Sequence, residues 1–195
     1  MADLSVWMRA VWFWPRLYAR GGERASVGAG AISSGALPPL AFQAIHPQDI
    51  CKQMKGARMR DLVAFEGTWA MEREITDHSG GPDGRLTGRC VFAPEAGGLR
   101  LTETGVLEMA GLAPMQAERS YFWRAQGAEI AVDFADGRFF HTFDPRGEGA
   151  EAGHDCAPDR YDVTYDFSRW PEWTATWRVR GPRKDYTSLT RYTPV

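Results

Sequence analysis

Residues 129–143 read EIAVDFADGRFFHTF. Ile130, Val132 and Phe134 alternate with polar or small residues, and so do Phe139, His141 and Phe143. Alternation with period two marks strands with one buried face. Between the two runs stands Asp136-Gly137, a two-residue hairpin signal, because both residue types tolerate positive φ. A hairpin centred there pairs Phe134 with Phe139, Val132 with His141 and Ile130 with Phe143.

The same reading extends in both directions. Strands are predicted over about 67–77, 85–93, 98–109, 114–125, 128–135, 138–145, 150–156, 160–168, 172–180 and 185–193. Turn signals separate them, among them Gly111, Gln126-Gly127, Pro145-Arg146-Gly147 and Gly181-Pro182. No long crossover intervenes, so neighbours are expected to be antiparallel. Turn-centred register pairs Trp123 with Ile130, Glu103 with Arg119, Gly88 with Glu103, Arg73 with Gly88, Val163 with Trp177 and Trp177 with Ser188. Apolar faces meet apolar faces throughout, which a one-residue slip would destroy. The predicted fold is all-β: an up-and-down antiparallel barrel of about ten strands, closed so that no edge stays exposed.

Composition narrows the function classes. The chain has 195 residues and a net charge of −2, too balanced for nucleic acid as a main partner. No apolar run approaches the roughly 20 residues that a membrane-spanning helix needs, and a cytoplasmic location is expected. Cys51, Cys90 and Cys156 are too few and scattered for a disulfide framework. Residues 1–58 differ from the rest. Seven basic and three acidic side chains give them +4, leaving −6 for the remaining 137. Residues 21–41 are mostly Gly, Ala, Ser and Pro, the composition of a linker. Leu4, Trp7, Val11 and Trp12 allow a short helix that Pro15 breaks, readable as an interfacial anchor or as a poorly ordered extension. The expected division is therefore 1–58, an irregular or partly helical extension, and 59–195, the barrel.

The informative residues are the polar ones on the inward face. Register groups Arg73, Glu103 and Arg119, with Tyr121 and His141 close by and Tyr165 and Trp177 on the later strands. These seven are the candidate ligand-binding residues. Two guanidiniums share one carboxylate, and an unpaired buried charge is costly. A second anion is expected, either a buried acid such as Asp155 or a bound carboxylate or phosphate, to which the planar fork of arginine is suited. The alternative is an internal Arg–Glu–Arg network that only orders the core. Gly88 and Gly105 are expected to leave space inside the bore, and a barrel of this size can hold a small ligand. His141, His154 and Cys156 also admit a metal or heme reading, but their spacing matches no strong ligand pattern. With no nucleotide or phosphate-loop fingerprint either, no cofactor and no metal are expected.

Phe65-Glu66-Gly67-Thr68-Trp69 resembles the opening of a calycin barrel, where lipocalins carry Gly-x-Trp. The resemblance implies that Trp69 closes the barrel floor, with an arginine from the last strands, Arg191 or Arg183, packed over it. The stretches GRFFHTFDPR, AGHDCAPDRYDVTYDF and WRVRGPRKDYTSLTRYTP are similar to a bacterial lipocalin-like family known only by a domain-of-unknown-function label, covering about residues 60–195. It implies a fold and no reaction. Three function classes follow. The first is a carrier or sensor for a small acidic and apolar or aromatic ligand. The second is a barrel enzyme acting on a carboxylic acid, by fold analogy with decarboxylases of phenolic acids, with Arg119 holding the acid and Glu103 and Tyr121 moving protons. The third is a structural or interaction module, with Trp170-Pro171-Glu172-Trp173 and the Trp-rich N-terminus as its partner surface. Oligomeric state is not encoded in any of these features.

Overall fold

Alternating side chains oblige each strand to turn one face toward a shared interior. The structure, a computed structural model, describes residues 60–195, and ten strands do this. They are β1 Gly67–Asp77, β2 Gly84–Glu95, β3 Gly98–Met109, β4 Met115–Gln126, β5 Glu129–Phe134, β6 Phe139–Phe143, β7 Gly149–Cys156, β8 Asp159–Asp166, β9 Trp173–Gly181 and β10 Lys184–Pro194. β1 pairs with both β2 and β10, so the sheet runs β6-β5-β4-β3-β2-β1-β10-β9-β8-β7, all antiparallel. β6 and β7 lie against each other without a ladder among the described residues, leaving an up-and-down barrel that is nearly closed. The extension expected over 1–58 lies outside the described residues, as does Met59. No described helix is long and apolar enough to cross a membrane.

Several expected pairs are present: Glu103 with Arg119, Val132 with His141, Ile130 with Phe143, Val163 with Trp177 and Trp177 with Ser188. Three ladders sit two residues away from expectation. Trp123 meets Val132, Cys90 meets Glu103, and Arg73 meets Leu86. Two of these turns are shifted because the positive-φ glycines, Gly97 at +89° and Gly127 at +62°, stand inside them. A slip of two keeps every side chain on its face, so the inward set survives.

At one point the face itself changes. A register shift between Val132 and Asp133 pairs Asp133 with Phe139 instead of Phe134 with Phe139. The bulge turns Phe139 outward, 53% exposed, and brings Phe140 inward, 4% exposed. Gly88 and Gly105 pair with each other, and their role also differs from the expected one. A Cβ on Gly88 would collide with the Thr104 carbonyl, and one on Gly105 would lie 2.6 Å from the Thr87 carbonyl. Glycine here lets two backbones approach closely. It does not hollow out the bore.

One end of the barrel is plugged with rings. Phe65, fully buried in a 3₁₀ turn over Leu62–Phe65, lies 5.3 Å from the Trp123 ring, 5.2 Å from Trp170 and 5.6 Å from Trp173. Trp69 is buried beside them and donates its indole N–H to the Phe65 carbonyl at 2.9 Å, as a floor tryptophan should. The floor arginine is a different one from the expected pair. Arg191 points to solvent and bonds Glu74 at 3.0 Å, and Arg183 is exposed. Arg60 takes the place, 4.4 Å over the Phe167 ring and 4.7 Å over Trp170, donating to the Pro145 and Gly147 carbonyls. Arg60 precedes the first strand, so its side chain falls outside any strand alternation.

Candidate functional site

Glu103 lies on the inward face of β3 with 1% of its side chain exposed. Five donor contacts converge on its carboxylate. Arg73 of β1 reaches across β2 to donate at 2.8 and 2.9 Å; Arg119 of β4 donates at 2.5 and 3.2 Å; Tyr192 of β10 donates at 2.9 Å. Burial by itself would push the Glu103 carboxyl up. The Coulombic pull of Arg119 and then Arg73, with their hydrogen bonds, overcomes this and holds it down at about 2. Burial, then the neighbouring Glu103 charge, pushes the Tyr192 phenol well above its ordinary value.

The two arginines differ. Arg73, 3% exposed, also donates from Nε to the Thr190 hydroxyl at 2.7 Å and contacts the Met71 sulfur, so it is pinned from three sides. Arg119 keeps 24% of its side chain exposed and lies over the Tyr121 ring. The acid expected to balance the cluster is absent from it: Asp155 sits on the outer face of β7, 78% exposed and bonded to Arg160. The cluster of two guanidiniums and one carboxylate therefore carries +1.

Beside it opens a cavity of about 30 Å³, room for a water or two. Six of the seven expected residues line it: Glu103, Arg119, Tyr121, His141, Tyr165 and Trp177; Arg73 stands behind Glu103 and does not. The bore is otherwise filled by rings. Phe140, placed inward by the bulge, is stacked between Tyr121 (5.9 Å, 11°) and Trp177 (5.1 Å, 3°). Period-two reading assigned Phe139 to that position; the Asp136-Gly137 turn offers no signal that β6 carries an extra residue, Phe140, between the partners of Asp133 and Val132.

Across the cavity, His141 Nε2 lies 2.9 Å from the Tyr165 hydroxyl. Burial, helped by His154, pushes His141 down to about 3, so the imidazole is neutral near pH 7. Burial pushes the Tyr165 phenol well up. Three residues that line it carry a buried nitrogen with no hydrogen-bond partner among the described residues: Trp123 Nε1, Trp173 Nε1 and His141 Nδ1. Sequence reading missed both indoles, because it treated the rings only as apolar filling.

Among the described residues no three His, Cys, Asp or Glu side chains gather as metal ligands. Cys90 is fully buried with its thiol pushed up, first by burial and then by Glu103, which makes it a core group rather than a nucleophile.

A family profile described as a family of unknown function (DUF6314) matches residues 65–194. No curated protein matches the chain. Among solved structures, an S-type phycobiliprotein lyase from Guillardia theta is similar, with a TM-score of 0.51 at 6% identity, covering 69% of this chain and 90% of that one. At that identity the likeness is one of fold, a lipocalin-like barrel.

Proposed function

The chain belongs to DUF6314, a family of unknown function, and from the geometry of its barrel we propose that it is a small-molecule binding protein, a carrier or sensor, whose barrel holds a small acidic ligand with an apolar or aromatic body. The observation that carries this reading is a cluster of net charge +1, its Glu103 and Arg73 buried and its Arg119 partly exposed, beside a cavity lined mainly by aromatic rings. A ligand carboxylate on Arg119 would neutralise the excess and use the terminal nitrogen that bonds no other described residue. Arg73, pinned and behind Glu103, serves the core. Tyr121 and Trp177, both half-buried, are the rings that can move aside for a ligand larger than the resting cavity. A barrel fold like that of a phycobiliprotein lyase is consistent with the reading.

The enzyme reading draws less support. Glu103 is held as an anion already sharing its oxygens with two arginines and a tyrosine, a poor proton donor or acceptor.

The test is titration with a library of aromatic and aliphatic carboxylic acids, read by tryptophan fluorescence and thermal shift. A binder should raise the melting temperature in a concentration-dependent way. Arg119→Gln should weaken it by about tenfold or more, as removal of a charge-assisted contact does. Absence of any shift across the library, or binding indifferent to Arg119→Gln, refutes the reading.

A further inference from the structure

Strand β5 is buried on both faces, although only one of them faces the bore. Ile130 and Val132 point inward, while Ala131 and Asp133 alternate outward. Ala131 is nevertheless 0% exposed and Asp133 8%. Neighbouring strands do not account for this. Ala70 of β1 is the internal comparison. It alternates outward between Arg89 and Thr193, as Ala131 does between Arg124 and Thr142, and it is exposed. Ion pairing does not bury an outer carboxylate either. Glu72, Glu74 and Asp155 each bond an arginine on the outer surface and stay more than half exposed, whereas Asp133, bonded to Arg124, is buried. Phe122, opposite Asp133, is an outward ring that is also half-buried. The sheltered face therefore runs over Phe122, Ala131, Asp133 and Thr142.

The place where the described chain begins says what can reach this face. The Arg60 guanidinium donates to the Pro145 and Gly147 carbonyls, in the loop after β6. Thr142, the ladder partner of Ala131, precedes Pro145 by three residues, roughly 10 Å of extended chain. The chain before Arg60 thus meets the barrel beside the sheltered face. In that part of the sequence Leu4, Trp7, Met8, Val11 and Trp12 fall at i, i+3, i+4, i+7 and i+8, the spacing of a helix with one apolar side. Residues 13–59 join them to Arg60, and a flexible chain of that length spans roughly 35 Å, more than the distance required.

We propose that residues 4–12 of the same chain dock through this apolar stripe on the outer face of β4–β6, over Phe122, Ala131 and Thr142. The tether supplies the effective concentration that so small a face would lack between separate molecules. Strands β5 and β6 turn Val132, Phe140 and His141 into the cavity, so the docked segment backs that wall of the binding site from outside.

Hydrogen exchange of the full chain, read by mass spectrometry over residues 4–12, tests this. So short a stripe is a marginal helix by itself in water, and slow exchange there reports docking. The expected result is exchange about tenfold or more slower than the free-peptide rate. That protection should be lost in Ala131→Arg, Thr142→Arg and Trp12→Lys, and kept in Ala70→Arg, the matched substitution on the open side of the barrel. Melting temperature identifies which barrel variants fold. Trp12→Lys lies outside the barrel and substitutes a better helix former, so its effect reports the lost contact. Free-peptide exchange in the wild type refutes the proposal. So does protection that survives Trp12→Lys, or that survives Ala131→Arg or Thr142→Arg in a folded barrel. Protection that grows with protein concentration assigns the face to a second copy, and protection that appears only with phosphatidylglycerol vesicles makes the stripe a membrane anchor; either result overturns the proposal.

Discussion

Replacing Glu103 by glutamine removes the one negative charge between a buried guanidinium, Arg73, and a partly exposed one, Arg119, while nearly keeping the side chain's shape. Two routes give the cost. The Glu103 carboxyl is held at about 2 against its ordinary 4.5, and at 1.36 kcal/mol per pH unit the difference contributes about 3 kcal/mol to folding. Breaking a buried ion pair by deleting one partner typically costs about 3–5 kcal/mol, and Arg73 at 3% exposure has no route to water. Glu103→Gln should therefore destabilise by about 3–5 kcal/mol at pH 7, on the order of 10 °C in melting temperature. The sign of the pH dependence follows from the depressed value. The wild-type carboxylate stabilises fully above its ordinary range and loses that contribution as pH falls toward about 2, so the gap to Glu103→Gln should shrink between pH 5 and pH 2. Guanidinium unfolding followed by tryptophan fluorescence at pH 7, 5 and 3 measures this. Adding Arg73→Met to Glu103→Gln should recover part of the loss, because an apolar isostere removes the stranded charge. A gap under about 1 kcal/mol at pH 7, or one constant with pH, would refute the claim that the cluster is buried and charged.

Two further outcomes are expected. His141 is held neutral at about 3, against an ordinary 6.5, so the unfolded chain binds its proton first; stability should fall as pH drops below 6.5, by about 2 kcal/mol at pH 5. His141→Gln should flatten that part of the profile, and superimposable wild-type and variant curves would mean that the histidine titrates normally. Phe140→Ala, which empties the position between Tyr121 and Trp177, should cost about 3–5 kcal/mol, whereas Phe139→Ala on the exposed side of the bulge should change stability by about 0.5 kcal/mol or less, both read from denaturant midpoints; the opposite order would mean that the bulge is misplaced.

The candidate site was partly legible in the chain. Glu103 opposite Arg119 followed from alternation and one turn centre, and the structure keeps that pair. Arg73 reached the same cluster although its ladder partner is Leu86 and not Gly88, because a long side chain inside a curved wall can span a neighbouring strand. Asp155 was misjudged as a buried balancing acid. It alternates outward on β7, between His154 and Cys156, and finds Arg160 there.

Period-two patterning, with turn residues between the runs, was sufficient by itself to determine ten antiparallel strands, their boundaries to within two residues and, except at the bulge at Phe140, which face of each is buried. These properties are set by backbone geometry over a few residues, and an error of two in register leaves them intact. Only the tertiary structure decided which arginine is pinned and which lines the cavity, that Phe140 and not Phe139 points inward, that Arg60 covers the floor, and that two indole N–H groups lack acceptors. Each of those depends on barrel curvature, a one-residue bulge or the approach of side chains distant in the chain, and such relations leave no periodic trace in a linear sequence.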